Sequence, residues 1–259
     1  MNGPNLIAIN VGNTRTQLGQ FIDGELEQNE RFDNDQRAEI VQTVLKWWQP
    51  VASLRQAMIL LASARETIAR QLSSALRDQL SVEIYEVGND LPLPISSQLD
   101  PETITGVDRL LNAAAAYERT RQACVIVDAG TAVTVDFVDR DGTFHGGAIA
   151  PGAALQLRAL HEHTDALPEL TLRVPDDDAF GRSTAQAMLQ GVYQGIRGLV
   201  ARLVEQYAES YGAYPKIIAT GGDAELLFEN DELIDNIVPE LTLLGMAITA
   251  KHAMAVDPD

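Results

Sequence analysis

Two stretches of this sequence combine an acid or amide, a glycine and a threonine in the same order. In one, Asp128 follows the apolar run 124–127 and precedes Gly130 and Thr131. At the end of a strand such a carboxylate can bind Mg²⁺ or its water ligands, while the glycine lets backbone N–H groups approach phosphate oxygens. The pattern predicts a phosphate-binding turn, although a strand that ends in an Asx turn has the same pattern.

The other stretch lies near the start of the chain and nearly copies the first. Asn10 matches Asp128, and Gly12 matches Gly130. An Asp-Gly turn follows each of them, at residues 23–24 and 141–142. Turn chemistry alone does not require a similar hairpin twice, so we interpret the two stretches as an internal repeat of one phosphate-binding hairpin.

A third stretch places Asp108 beside Arg109 at the start of a predicted helix. A carboxylate there can accept a proton, and a guanidinium can bind a carboxylate or a phosphate through two hydrogen bonds. An equally good explanation is that Asp108 caps the helix. The residues alone leave both explanations open.

The elements around these stretches predict an α/β fold. Residues 5–28 read as a hairpin meander, and the remaining periodicity favours strands and helices in alternation. We expect strands at residues 58–62, 82–87, 124–128, 133–138 and 216–220, and helices at residues 37–48, 66–79, 108–117, 153–163, 184–211 and 241–254. Two similar openings, each followed by helices, predict a duplicated α/β unit with a nucleotide between the halves, at residues 1–121 and 122–259.

Composition limits the classes of molecule that we expect this chain to bind. The chain has 259 residues and a formal net charge of -18, which opposes nucleic-acid binding because that requires a basic surface. Its apolar runs are far shorter than the roughly 18 residues of a membrane helix, and the N-terminus lacks the pattern of a secretory signal. We therefore expect a cytoplasmic protein with no nucleic-acid or membrane partner. Cys124, the one cysteine, reads as a buried structural thiol.

The motifs together resemble those of the type III pantothenate kinases. The first hairpin is similar to that family's first phosphate loop, the Asp108 stretch to its G-x-D-R signature, and the Asp128 stretch to its second phosphate loop. Six matching motifs occur in the family's order, at residues 10–14, 105–109, 128–136, 146–152, 181–191 and 220–222. The resemblance implies duplicated ribonuclease-H-like domains of the actin-like ATPase type, with mixed sheets flanked by helices.

It also implies an activity, the ATP-dependent phosphorylation of pantothenate to 4′-phosphopantothenate at the first step of coenzyme A synthesis. Asp108 would be the general base, Asp128 would bind a monovalent cation, K⁺ or NH4⁺, and Mg²⁺ would accompany ATP. Thr184 would reach pantothenate across a homodimer interface. The implied ATP-binding residues are Asn10, Val11, Gly12, Asn13, Thr14, Arg15, Thr16, Gln17 and Thr131. The implied pantothenate-binding residues are Gly106, Val107, Asp108, Arg109 and Thr184.

The sequence departs from the family pattern at two places. The family's first loop begins with aspartate, whereas this chain has Asn10, and residues 96–100 offer no aromatic side chain before Gly106. A carboxamide loses charge assistance of roughly 1.5–3 kcal/mol, which slows turnover by about ten- to a few hundred-fold. An alternative is therefore a weakly active or inactive nucleotide-binding homologue with a regulatory role. Another is a kinase for a different small hydroxy acid.

Two other groups of residues suggest chemistry only weakly. His161 and His163 point apart on a helix, so a solvated face is favoured over a metal site. Ser183 lacks the G-x-S-x-G context of a hydrolase nucleophile.

Overall fold

The computed structural model describes residues 3–100, 102–176 and 178–256. Within them, eleven strands and seven helices form two sheets with flanking helices. The strands are β1 (Asn5–Val11), β2 (Arg15–Ile22), β3 (Glu25–Asp33), β4 (Ala57–Ser63), β5 (Ile84–Glu86), β6 (Ser96–Ser97), β7 (Cys124–Ala129), β8 (Ala132–Val138), β9 (Thr143–Pro151), β10 (Lys216–Thr220) and β11 (Asn236–Ile237). The helices are α1 (Arg37–Val51), α2 (Glu66–Leu80), α3 (Val107–Thr120), α4 (Ala153–Glu162), α5 (Thr184–Tyr211), α6 (Ala224–Phe228) and α7 (Leu241–Val256).

The two sheets share one topology. The first has the order β3-β2-β1-β4-β5, in which β1, β2 and β3 are antiparallel and β4 and β5 run parallel to β1. The second has the order β11-β10-β7-β8-β9-β6, and its strands β9-β8-β7-β10-β11 repeat the order and directions of the first. The predicted duplication of an α/β unit with mixed sheets is confirmed.

Contacts divide the chain into two compact units. Unit 1 comprises residues 1–96, 100–118 and 240–259, and unit 2 comprises residues 97–99 and 119–239. The expected halves, residues 1–121 and 122–259, stay a prediction. Helix α7 belongs to unit 1 because its buried residues Leu243, Met246 and Ala250 share a core with Leu6 of β1 and Leu111 of α3.

Alternation along β1 gives unit 1 a core on each face of its sheet. Ile7 and Ile9 point to the side covered by α1 and α2, whereas Leu6 and Ala8 point to the side covered by α3 and α7. In unit 2 the core lies on the face that carries Val125 of β7 and is formed with α4, α5 and α6. No helix in the described part of the chain is long and apolar enough to cross a bilayer.

Candidate functional site

The first predicted phosphate loop is a tight turn between β1 and β2. The Gly12 N–H donates to the Arg15 carbonyl at 2.9 Å and closes the turn. A Cβ at position 12 would lie 3.0 Å from that same oxygen, so the glycine lets the two strands meet closely. Asn13 and Thr14 form the exposed tip. The loop thus presents its backbone to solvent, as binding of a phosphate requires.

Residues distant in sequence support this loop. The Asn34 side-chain amide donates to the Gly12 carbonyl at 3.0 Å and accepts from the Thr16 hydroxyl at 2.8 Å. The Asn34 backbone N–H donates to the Thr14 carbonyl at 3.1 Å. Arg65 Nη1 donates to the Asn13 carbonyl at 3.0 Å. Sequence reasoning missed both Asn34 and Arg65, because neither belongs to a local motif with the loop.

The side chains of the predicted ATP-binding residues face three directions. Val11 lies in the core beneath α1 and α2, and the opposite residue Thr16 is fully buried. Asn10 and Gln17 are directly opposite each other on the other face, the face that α3 covers. Arg15 is exposed and pairs with an aspartate of β3 at 3.2 Å. Val11 and Thr16 can therefore serve a nucleotide only through their backbone or by supporting the turn.

Gln17 is buried without a complete set of partners. It is 9% exposed, and its Nε2 makes no hydrogen bond within the described structure. The Oγ1 of Thr105, next to Gly106, is likewise buried without a partner. A buried polar atom without a hydrogen bond costs about 1–3 kcal/mol, which a ligand oxygen can recover.

The start of α3 lies at the same edge and on the same face of the first sheet as Asn10 and Gln17. Val107 packs on the core that contains Leu6 and Ala8, and it approaches Gly88 at the carboxyl end of β5. Asn10 is also at the carboxyl end of its strand. Val107 and Asn10 therefore lie on one face of the first sheet, towards the carboxyl ends of its parallel strands.

Asp108 is half-buried in the first turn of α3. Its Oδ1 accepts the Arg109 backbone N–H at 2.9 Å, so the carboxylate does interact with the helix N-terminus as the capping explanation requires. A Cβ at position 106 would lie 2.5 Å from the same oxygen, so Gly106 leaves room for this side-chain position. Within the described part of the chain the other carboxylate oxygen, Oδ2, is the one left to face a substrate.

The second predicted loop repeats the first in unit 2. The Gly130 N–H donates to the Ala132 carbonyl at 3.0 Å, and exposed Thr131 lies at the tip. Half-buried Asp128 is the penultimate residue of β7 and lies opposite Thr134 on β8 and beside Thr220 on β10. Gly221, with φ +98°, allows the backbone after β10 to approach Asp128, whose Oδ1 would lie 2.5 Å from a Cβ there. Carboxylate and hydroxyl oxygens therefore gather at this strand end.

Thr184 lies apart from both loops in the chain, at the first position of α5. It is exposed, and Ser183 before it is the N-cap, whose hydroxyl accepts the Gln186 N–H at 3.2 Å. Ser183 thus has a helix-capping role.

His161 is exposed and contacts the Leu167 carbonyl at 2.8 Å. Among the described residues no group of three or more potential metal-binding side chains occurs.

Unit 2 also has a cavity of about 660 Å³ at the far end of the β8–β9 hairpin. Three of its polar side chains already have partners: His145 Nε2 is 2.8 Å from Asp139 Oδ2, and the Tyr207 hydroxyl donates to a backbone carbonyl. Desolvation, the largest influence on Asp139, raises its pKa. The hydrogen bonds from His145 and from the N–H groups of Thr143 and Asp141 outweigh it and hold the pKa below its ordinary value. The contact between Asp139 and His145 thus stabilises the β8–β9 hairpin.

Two comparisons of the sequence with known proteins find the same family. A model of the type III pantothenate kinase family matches residues 6–206. A type III pantothenate kinase of Rhodospirillum rubrum is 35% identical over 250 residues, covering 94% of this chain and 96% of that protein.

Two solved structures show the same fold at low identity. A Baf family protein from Campylobacter jejuni has a TM-score of 0.64 at 20% identity, covering 96% of this chain and 99% of that one. An activator of 2-hydroxyisocaproyl-CoA dehydratase from Clostridium difficile, with bound ADPNP, has a TM-score of 0.54 at 12% identity, covering 98% and 97%. The expected actin-like architecture is confirmed.

Proposed function

The chain belongs to the type III pantothenate kinase family, and we propose that it transfers the γ-phosphoryl group of ATP to the hydroxyl of pantothenate. The product is 4′-phosphopantothenate, and the reaction is the first step of coenzyme A synthesis. The chain is thus a phosphotransferase with an alcohol as acceptor. One observation about this chain's own residues supports the proposal most directly: the first loop and the start of α3 share one edge and one face of the sheet in unit 1.

Asp108 is the proposed general base. Phosphoryl transfer passes through a loose transition state, so the enzyme must chiefly place the hydroxyl in line and neutralise charge on the γ-phosphate. The hydroxyl proton leaves late, and a carboxylate suffices to accept it. The hydrogen bond from the Arg109 N–H fixes Asp108 Oδ1 and leaves Oδ2 as the proton acceptor.

The pantothenate site comprises Gly106, Val107, Asp108 and Arg109. Gly106 and Val107 contribute backbone and shape, and the Arg109 guanidinium is suited to the pantothenate carboxylate. The buried Oγ1 of Thr105 offers a further partner for a substrate oxygen. Thr184 completes the site from a second copy of the chain, which makes a homodimer part of the proposal.

The ATP phosphates bind to the stretch Asn10 to Gln17. Gly12 closes the turn, Asn13 and Thr14 supply backbone N–H groups, and Gln17 offers its unpartnered Nε2. Val11, Arg15 and Thr16 hold the strands on which the turn is built. Thr131 has the equivalent place in the second hairpin and contributes to ATP binding there.

Two cations belong to the proposal. Mg²⁺ accompanies ATP and would neutralise charge on the phosphates; the donor set of the first loop, a carboxamide oxygen with no carboxylate, fits an indirect contact through a metal-bound water. A monovalent cation, K⁺ or NH4⁺, fits the second hairpin. One carboxylate, Asp128, lies there beside the hydroxyl-bearing Thr134 and Thr220, an oxygen set suited to a weakly held ion.

The location and partners follow from the same family assignment. We propose a cytoplasmic enzyme whose partners are ATP, pantothenate and a second copy of itself, with no nucleic acid and no membrane. The alternative of a weakly active or inactive regulatory homologue has no support from the comparisons. Curated relatives that match at least nine-tenths of this chain are named as kinases.

The test is pantothenate-dependent release of ADP by the wild-type chain and by Asp108→Asn. We expect turnover with pantothenate, and a loss of about a hundredfold or more in kcat for Asp108→Asn, because general-base catalysis contributes about 10²- to 10⁴-fold. Asp78→Asn on the exposed part of α2 is the matched control and should behave as wild type. A panel of other small hydroxy acids runs in parallel. Turnover with one of them but not with pantothenate would refute the substrate assignment.

A further inference from the structure

We propose that Asn34 is a positioning residue for the ATP phosphates, holding the first loop in its binding conformation. The proposal rests on the function proposed above. Asn34 follows β3 directly and is half-buried. It makes three hydrogen bonds to the loop and to its flanking strand: to the carbonyls of Gly12 and Thr14, and from the hydroxyl of Thr16.

The backbone bond places Asn34 in register with the loop. Within the β2–β3 ladder Arg15 pairs with Asp33, so the bond from the Asn34 N–H to the Thr14 carbonyl continues the ladder by one residue. Any residue type could make this bond. It brings the side chain of position 34 beneath the turn, where the choice of residue then matters.

The side chain bridges the two ends of the turn. Its amide N–H holds the Gly12 carbonyl at 3.0 Å, and its amide oxygen accepts the Thr16 hydroxyl at 2.8 Å. Only a carboxamide presents a donor and an acceptor in one short planar group at neutral pH. An aspartate lacks the donor, and a serine is too short to span both partners.

Fixing the Gly12 carbonyl has a consequence for its neighbour. A peptide group is planar, so a fixed carbonyl of Gly12 also fixes the direction of the Asn13 N–H. Arg65 holds the next peptide by its bond to the Asn13 carbonyl. Two successive peptide groups of the turn are thereby aligned before ATP arrives. Such alignment lowers the entropy lost on binding.

The experiment measures binding of a non-hydrolysable ATP analogue with Mg²⁺ by titration calorimetry, so it does not depend on which acceptor the enzyme uses. Asn34→Ala removes two side-chain hydrogen bonds and should weaken binding by about ten- to thirtyfold. Asn29→Ala is the control, an exposed asparagine on β3, and should bind within twofold of wild type. In the kinase assay the KM for ATP should rise, while the KM for pantothenate stays within twofold.

A second variant separates positioning from folding. In Asn34→Asp the carboxylate faces the Gly12 carbonyl without a donor, and binding should be weak at mildly alkaline pH. At acidic pH the protonated carboxyl group regains a donor and an acceptor, so binding should approach that of wild type measured at the same pH. Asn34→Ala should show a constant deficit at both pH values. A merely structural role predicts no such recovery.

Either of two results would overturn the proposal. One is analogue binding by Asn34→Ala within twofold of wild type, and the other is a deficit of Asn34→Asp that does not change with pH. The second result decides the matter if Asn34→Ala does not fold. A wrong substrate assignment would give a different result. The analogue would bind as expected to wild type and variants, but pantothenate would not stimulate ADP release.

Discussion

Replacing Asn10 by aspartate adds a charge where the structure can accommodate one. The two side chains have nearly the same shape, so the packing of β1 does not change. Its neighbours across the ladder are Gln17 on β2 and Ala62 on β4, both uncharged. The unpartnered Nε2 of Gln17 can donate to the new carboxylate. Asn10→Asp should therefore fold normally, with its added negative charge directed to the site of the phosphates and Mg²⁺.

The size of the effect follows from the change in the hydrogen bond to metal-bound water. A bond to a charged acceptor contributes about 1.5–3 kcal/mol, compared with about 0.5–1.5 kcal/mol for a neutral one. Asn10 is half-buried, and solvent screens part of the added interaction. We expect a gain of about 1.5 kcal/mol, which is roughly a tenfold higher kcat. A gain of a few hundredfold in kcat would require the side chain at position 10 to be shielded from water more completely than the half-buried Asn10 is.

The assay measures kcat over a series of Mg²⁺ concentrations with ATP and pantothenate saturating. Asn10→Asp should raise kcat and lower the Mg²⁺ concentration at half-maximal rate. Asn29→Asp is the matched control, since it adds the same charge at an exposed position of β3, outside the loop. If Asn10→Asp leaves turnover unchanged at saturating Mg²⁺, or if both variants change it equally, position 10 does not act through the metal.

Three further expectations concern other parts of the chain. Gly106→Ala should displace the Asp108 carboxylate, since a Cβ would lie 2.5 Å from its Oδ1, and kcat should fall about tenfold or more with little change in melting temperature. Burial raises the pKa of the Cys124 thiol to about 12, so iodoacetamide should label it only as fast as the chain unfolds, and labelling of the native fold would contradict this. The pKa of Asp139 is lowered, so its charged form stabilises the fold above the ordinary pKa of about 3.9 and this contribution is lost as pH falls through the lower folded value. Asp139→Asn should reduce the free energy of unfolding in urea at neutral pH but not in strong acid, and an equal reduction at both would count against stabilisation by the charged form of Asp139.

The regular elements of the fold could be predicted from the sequence because their periodicity is strong. The predicted helix at residues 184–211 coincides with α5, and the predicted strand at residues 216–220 coincides with β10. Strand β9, Thr143–Pro151, was not predicted, because its two adjacent glycines interrupt the alternation of a strand pattern. Strand β11 has two residues, Asn236–Ile237, too few for any periodicity. Its position is set by pairing with β10, a long-range contact.

The candidate site could be predicted only where its residues lie in short motifs. Both turns have the glycine that their geometry needs, so the sequence alone located Gly12 and Gly130. Asn34 and Arg65 reach the first turn from outside its hairpin, and nothing in their neighbours along the chain distinguishes them. The packing of α7 in unit 1 is likewise not indicated by its neighbours along the chain. Tertiary packing, which sequence periodicity does not encode, decides such contacts.

The two hairpins share a backbone but differ in the chemistry at equivalent positions. Where the second hairpin has Asp128, flanked by the threonines of β8 and β10, the first has Asn10, flanked by Gln17 and an alanine. The second set offers oxygen acceptors, which suit a cation. The first set offers amide N–H donors, which suit phosphate oxygens.

This difference explains how Asn10 is compatible with a kinase. A carboxylate close to phosphate oxygens is repelled unless Mg²⁺ lies between them, whereas a carboxamide can donate to the phosphate directly. The wild-type chain should therefore bind the ATP analogue with a weak dependence on Mg²⁺, and Asn10→Asp should bind it with a strong one. Loss of the charge then reduces the contribution of the metal to turnover without removing the phosphate site.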